Sequence, residues 1–295
     1  MTVSSIQQSI PEDELRSLLL QYRRENWTGI QTPDAQNKIV SDILGTDATS
    51  PLQRVEPYHH LSKDSRILDL GSGVGSFVVG CRNKGLQCFG VEPDRIGNGS
   101  QVTAIQIARR RVCDQVFVAG VGEMLPLADE CFDLVTMNQV IEHVHDQSGV
   151  IFEAARVLRA NGVIYLACPN YLRFYEPHYK IAWFPLLPKV FGRIYLRMRN
   201  RRPSLINQIT YTTNSRLRRL LGKLGANYSV VDLHREQFLQ KRASGSFASP
   251  KLKIVSALTR LPLVGPFFLG LTLWLVSVFE GGCEFVVIKK ASQAL

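Results

Sequence analysis

No Cys-x-x-Cys pair occurs among the six cysteines, at positions 81, 88, 113, 131, 168 and 283, so zinc knuckles and dithiol redox motifs lack their ligands. Most of these cysteines fall inside apolar stretches and read as small core hydrophobes in a reducing compartment. The first residues lack the basic start and apolar run of a secretion signal and carry Pro11-Glu12-Asp13-Glu14 instead, so a cytoplasmic protein is expected. The absence of internal repeats and of long low-complexity tracts excludes solenoids and repeat arrays. Acidic residues are missing from Pro177 to Val231, where eleven Lys and Arg stand. The remaining chain holds 24 basic against 25 acidic residues, so the positive excess sits in that one segment. Such asymmetry points to an anionic partner surface, phospholipid or nucleic acid, unless the segment is simply a solvated face. An apolar content of 45% and a mean hydropathy of −0.01 exclude a disordered chain.

What is present begins with Leu68-Asp69-Leu70-Gly71-Ser72-Gly73-Val74-Gly75-Ser76-Phe77. Apolar residues run into three alternating glycines and out into an apolar helical pattern, which predicts strand, tight turn and helix. Glycines there let the backbone take positive φ and let a ligand approach closer than a Cβ permits. Nineteen residues beyond Gly73, the run Cys88-Phe89-Gly90-Val91 ends in Glu92, the spacing of a carboxylate that grips ribose hydroxyls. The dinucleotide fingerprint G-x-G-x-x-G would need glycine at 76, which is serine, and Asp69 would oppose a pyrophosphate. A cationic ligand suits Asp69 better.

With Asp69, Gly71, Gly73, Gly75 and Glu92 in place, the pattern resembles class I S-adenosylmethionine-dependent methyltransferases, whose cofactor carries a sulfonium. The likeness continues in order. Glu123-Met124-Leu125-Pro126-Leu127-Ala128-Asp129-Glu130-Cys131-Phe132-Asp133-Leu134-Val135 is similar to the loop beneath the adenine and the fourth strand, and Asn138-Gln139-Val140-Ile141-Glu142-His143-Val144 to the start of the active-site segment. Arg156-Val157-Leu158-Arg159-Ala160-Asn161-Gly162 resembles a "R-V-L-K-P-G-G" turn, with Ala160 and Asn161 for Pro-Gly. The family often has an adenine-contacting Asp where Val121 stands. The resemblance implies S-adenosyl-L-methionine as cofactor and a binding set of Asp69, Gly71, Ser72, Gly73, Gly75, Glu92, Pro93, Gly122, Glu123 and Asn138. It also implies a Rossmann-like seven-stranded α/β sheet in the order 3-2-1-4-5-7-6.

For the acceptor side, Glu142, His143 and His178 are the candidate catalytic residues, since a neutral His can take a proton near neutral pH. His143 could equally fix its loop through a backbone hydrogen bond. Glu142 and His143 also resemble the E-x-x-E-H of ubiquinone-pathway O-methyltransferases, where such groups hold a divalent metal. Gln139 takes the first Glu position, and no metal site is expected. His59, His60, His145 and His234 have no ligand spacing and read as surface or loop residues. Pro177 predicts a turn that aims His178. The run Tyr175-Glu176-Pro177-His178-Tyr179 followed by Pro185-Leu186-Leu187-Pro188-Lys189 resembles methyltransferases associated with bacterial cell-surface sugar genes.

Four segments are expected: a helical N-terminal extension, 1–60, with Leu15, Leu18, Leu19 and Tyr22 on one face and lidding the cofactor; the cofactor-binding core, 61–170; a basic, aromatic cap insertion, 171–212; and the rest of the core, 213–295, with an apolar insertion at 250–280. In the cap, Trp183, Phe184, Leu187, Val190, Phe191, Ile194, Tyr195 and Met198 recur at helical spacing beside Lys189, Arg193 and Arg197, predicting a basic amphipathic helix. Leu261 to Phe279 carries no charge over nineteen residues. A bilayer crossing needs about 20, but a crossing would separate two strands that must share a sheet, and Pro262, Gly265, Pro266 and Gly270 interrupt the run. A shallow, monotopic insertion or a re-entrant hairpin beside anionic lipid, through 177–202 and 250–280, is expected; the competing expectation is a helix pair buried on the core. The functional expectation is methylation of oxygen on a lipid-linked sugar or a phenolic, quinone-type acceptor at the cytoplasmic membrane face. The competing readings are an RNA methyltransferase and a silent fold that recruits partners to membranes. Thr136-Met137-Asn138-Gln139 stands where a flipped adenine would meet Asn-Pro-Pro-Tyr, which makes nucleic acid the less favoured partner.

Overall fold

The structure is a computed structural model that describes residues 10–26, 33–45, 50–94, 102–112, 114–246, 250–262, 264–279 and 282–291. Readings that concern residues 1–9, Cys113, Leu263 and the side chains of Lys251 and Lys253 lie outside the described residues.

The N-terminal extension forms α1 (Glu12–Asn26), α2 (Pro33–Gly45) and α3 (Ser50–Val55). Three acidic residues in the first turn of α1 oppose the positive end of its dipole. Leu15 and Leu19 bury against Val40 of α2 and Ile107, as the apolar spacing requires. Alternation of strand and helix follows: β1 (Arg66–Leu70), α4 (Ser76–Asn83), β2 (Gln87–Glu92), α5 (Ala104–Arg111), β3 (Phe117–Ala119), β4 (Phe132–Asn138), α6 (Gln147–Val157) and β5 (Leu158–Pro169). Thr103 starts α5 with a capping box to Gln106. The interior strands are buried along almost their whole length, because a parallel sheet is covered by helices on both faces.

After β5 come the short strands β6 (Tyr175–Glu176) and β7 (Ile181–Ala182), then α7 (Lys189–Met198), α8 (Ser204–Gln208), α9 (Asn214–Gly222), β8 (Tyr228–Asp232), α10 (Leu233–Ser244), α11 (Pro250–Leu258), α12 (Gly265–Phe279) and β9 (Gly282–Lys289). The main sheet runs β3-β2-β1-β4-β5-β9-β8. With the β6-β7 hairpin set aside, this is the expected order, parallel up to β5 and antiparallel through β9 and β8. Asn161 takes φ 61° at the irregularity where β5 meets β4, a conformation Asn accepts more readily than most residues; it replaces the glycine of the related turn for that reason.

The expected amphipathic cap helix is shorter and its apolar residues are split. Only 189–198 is helical, and Trp183 lies under it, 3% exposed, in a separate small core with Tyr171, Tyr179, Ile181, Leu196, Ile206 and Ile209. Phe184, Val190, Phe191, Ile194 and Met198 face outward. Apolar spacing alone did not separate the side packed on Trp183 from the side left in solvent. The C-terminal helices show a second inversion: Ser256, Thr259 and Thr272 are buried, while Ile254, Phe267, Leu271 and Trp274 are exposed. Arg242 of α10 donates to the Thr259 hydroxyl at 2.7 Å and to its carbonyl at 2.9 Å, which is why the polar side of α11 turns inward. The pair packs on the rest of the fold through α12, which meets α9 and α10, and leaves an apolar side exposed. Among the described residues no helix is long and apolar enough to cross a membrane.

Candidate active site

A cavity of about 550 Å³ opens at the carboxyl ends of β1, β2 and β4, where open α/β sheets bind ligands. At one end the β1–α4 turn folds back on β2: the Gly71 and Ser72 N–H groups donate to the Val91 carbonyl at 2.8 and 3.0 Å. Gly71 has φ 74°, and a Cβ there would stand 2.5 Å from Val140, so only glycine fits. Gly73 has φ 52° with open space beside it, and its N–H donates to Glu92 Oε2 at 2.9 Å. Glu92 and Pro93 line the cavity with Gly71, Gly73, Val121, Gly122 and Glu123. The 121–127 loop is held from below: Arg156 donates to the carbonyls of Leu125 and Leu127 and to Glu153, which accepts the Leu125 N–H at 2.7 Å. This is the structural work of the "R-V-L" arginine. Leu19, Tyr22 and Ile43 of the N-terminal helices close the same end, tied down by Arg111, which donates to the carbonyls of Val74 and Ile43 at 2.8 and 3.2 Å.

At the other end stand Gln139, Val140, His143, Val144, His145, His178, Leu205 and Gln208. Gln139, first residue after β4, has φ 59°, a backbone strain that is held where its N–H donates to the Ala167 carbonyl. Glu142 is fully buried and neither carboxylate oxygen has a hydrogen-bond partner; burial pushes its acid up to about 7. The His143 side chain is 34% exposed, yet burial, with the adjacent His178 adding, lowers it to about 4. The two imidazoles meet edge to face with centroids 5.2 Å apart. His178 comes from the turn of the β6-β7 hairpin, where the sequence predicted one, and its Nδ1 lies 2.8 Å from Glu176 Oε1. One donor atom from each of Glu142, His143 and His178 lies within 4.8 Å of the others.

Among the described residues no Lys or Arg lines the cavity, and the charged wall residues at the glycine-loop end are Glu92 and Glu123. This acidic end suits a cationic ligand. Residues 68–166 match the family described as "Methyltransferase domain". Residues 68–166 thus form a methyltransferase-type domain, on a sheet of class I order. Its cofactor is S-adenosylmethionine, which the acidic, Cβ-free cradle and a volume within the ordinary range for small ligands both suit.

Among curated relatives, the methyltransferase chain is 29% identical over 141 residues to the ubiquinone/menaquinone biosynthesis C-methyltransferase of Xylella fastidiosa, covering 45% of this chain and 53% of that protein. It is 26% identical over 185 residues to the demethylmenaquinone methyltransferase of Thermotoga maritima, 60% of this chain and 76% of that one. It is 35% identical over 105 residues to a probable S-adenosylmethionine-dependent methyltransferase of Mycobacterium tuberculosis, 35% of each chain. The chain thus spans about half the length of the first of these relatives. A solved phosphoethanolamine N-methyltransferase 2 of Haemonchus contortus, in complex with S-adenosyl-L-methionine, overlaps with a TM-score of 0.49 at 15% identity over 93% of this chain and 60% of that one. At this level the fold argument rests on the sheet order, not on the overlay.

Of the sequence-derived set, Gly71, Gly73, Glu92, Pro93, Gly122, Glu123, His143 and His178 are brought together around one cavity. Asp69, Ser72, Gly75, Asn138 and Glu142 are not part of its lining. Asp69 is buried and accepts from the Thr136 hydroxyl at 2.8 Å, and burial, with the charge of Glu92 adding, raises it to about 7. Gly75 begins α4 against Phe117, and Asn138 is exposed at the end of β4. His145, read as a loop residue, lines the cavity, as do Leu205 and Gln208; no motif marks these last two, because they come from the cap.

Proposed function

We propose that this chain transfers a methyl group from S-adenosylmethionine to a hydroxyl-bearing, lipid-linked acceptor of sugar or phenol/quinone type, at the cytoplasmic face of an anionic membrane. The observation that carries the reading is the single cavity that joins the Gly73–Glu92 cradle to His143 and His178. When bound, the cofactor supplies a methyl carbon on a sulfonium sulfur, an electrophile that needs no activation by the protein. What this chain supplies is orientation across the cavity and a site for the acceptor's proton. Leu19, Tyr22 and Ile43 from one side and Leu205 from the other give the cavity apolar walls, which favour exclusion of water.

Two features support a lipid-borne acceptor. The cap that contributes His178, Leu205 and Gln208 exposes Phe184, Val190, Phe191 and Ile194 within the segment that holds eleven basic and no acidic residues, the combination that meets anionic headgroups and acyl chains. The inverted helices α11 and α12 expose Phe267 and Trp274 at 70% and 58%. A second reading, methylation of a quinol-type ring carbon, is favoured by the names of two relatives.

Incubation with methyl-labelled S-adenosylmethionine and a cell extract, with Gly73→Asp as the blank, tests the proposal. Label in organic-phase lipid, in a product whose methyl is cleaved as an ether, is expected. Label in RNA would replace the acceptor class; a carbon-bound methyl would select the second reading.

A further inference from the structure

We propose that Glu176 is a positioning residue: its carboxylate holds the Nδ1–H of His178, so that Nε2 of His178 receives the proton of the acceptor's hydroxyl during methyl transfer. This inference rests on the methyl-transfer reading and deepens it by naming the proton acceptor and the group that sets its tautomer.

Glu176 is fully buried at the end of β6. One oxygen accepts the Tyr179 N–H at 2.6 Å and the other lies 2.8 Å from His178 Nδ1. A neutral glutamine could satisfy the backbone amide, so the amide does not explain why a carboxyl group stands in a fully buried position. Burying a carboxyl group costs several kcal/mol unless it is hydrogen-bonded, and besides the Tyr179 amide the donors the described residues offer are the Nδ1–H of His178 and, at 3.5 Å, the Tyr171 hydroxyl. The turn between them is over-determined: Glu176 pairs with Ile181 across the hairpin, Pro177 fixes φ, and Tyr179 and Ile181 anchor it in the cap's own core. The His178 side chain is 11% exposed and lines the cavity. With Nδ1 committed to the carboxylate, Nε2 is the nitrogen left for a ligand.

The other groups around His178 are less suited. Glu142 and His143 face it from the loop after β4, and the Tyr171 hydroxyl lies 3.4 Å from Nδ1. His143 has lost basicity to burial, and burial holds the Tyr171 phenol well above its ordinary range. In the step itself, the acceptor oxygen bonds the methyl carbon as the carbon–sulfur bond breaks with its electron pair staying on sulfur. The hydroxyl proton passes to Nε2, and the resulting imidazolium stays paired with Glu176.

The test reads ring nitrogens directly. In protein carrying ¹⁵N-histidine, long-range ¹H–¹⁵N spectra should show His178 neutral with its proton on Nδ1. Glu176→Gln keeps an acceptor at the same place without its charge, so the pH midpoint of His178 should fall by about one unit. With methyl-labelled S-adenosylmethionine and a cell-lipid extract, Glu176→Gln should lower turnover by about tenfold and leave the cofactor Kd within about twofold; Glu176→Ala should cost more, and an unfolded Ala variant leaves the Gln comparison intact. A proton on Nε2 in the wild-type protein, or a midpoint unmoved in Glu176→Gln, overturns the inference. The tautomer is read without an acceptor, so absence of transfer by the wild-type protein would sink the methyl-transfer reading separately.

Discussion

At the donor end of the cavity the groups that meet a ligand are largely backbone: the turn glycines, the Gly73 N–H bound to Glu92, and the loop amides that Arg156 holds in place. At the acceptor end they are side chains, and three of the eight, His178, Leu205 and Gln208, ride on an insertion with its own small core. The difference teaches how one domain serves many acceptors. A backbone cradle is fixed by strand order and φ angles and tolerates little change; a cap packed on Trp183 and Tyr179 can vary without disturbing the sheet.

The sharpest way to break this contrast is at Gly73. Its φ of 52° strains any side chain, Asp less than most, while the open space beside it leaves room for one, so Gly73→Asp costs some stability and puts a carboxylate on the cradle beside Glu92. Cofactor affinity should fall by about a hundredfold or more while the melting temperature drops but the melt stays cooperative, read by calorimetry and thermal melts. The next largest effect is at the cap surface: Phe191→Glu with Phe267→Glu should reduce co-sedimentation with anionic vesicles by about tenfold, given the area each exposed phenyl would bury. Unaltered sedimentation would remove the membrane from the account.

The donor end also depends on the N-terminal lid. Arg111→Ala removes donors to the Val74 and Ile43 carbonyls and should raise the cofactor KM several-fold while lowering stability by about 1–3 kcal/mol, as read from saturation curves and urea melts. The smallest effect concerns Asp69. In the unfolded chain its acid ionises near 3.8, and in the folded protein burial holds the proton to about 7. Between those values the folded state binds more protons, so stability falls as pH rises. Asp69→Asn, which still accepts from Thr136, should flatten the melting temperature across that window; an unchanged slope would mean that Asp69 is ionised in the fold.

How legible each region was follows from the same physics. The β1 turn, Glu92 and the 123–135 stretch could be read because close backbone approach demands glycine and a carboxylate at fixed spacing. The cap was not legible: Phe191 and Leu196 have the same chemistry in the sequence, and only Trp183, packed beneath Gly192, decides which of them is buried. Asp69 was read as a partner for a cationic ligand, but Thr136 takes it into the sheet. Glu176, beside His178 in every reading of the sequence, gave no signal of its role until the hairpin folded it under the cap.

The division of labour between the two ends is tested most directly by calorimetric titration of S-adenosylmethionine into Glu92→Ala and His178→Gln. The account predicts that Glu92→Ala weakens binding by about 1–3 kcal/mol, while His178→Gln binds within about twofold of the unaltered protein and loses turnover instead. Equal losses of affinity in the two variants, or a larger loss at His178, would contradict it.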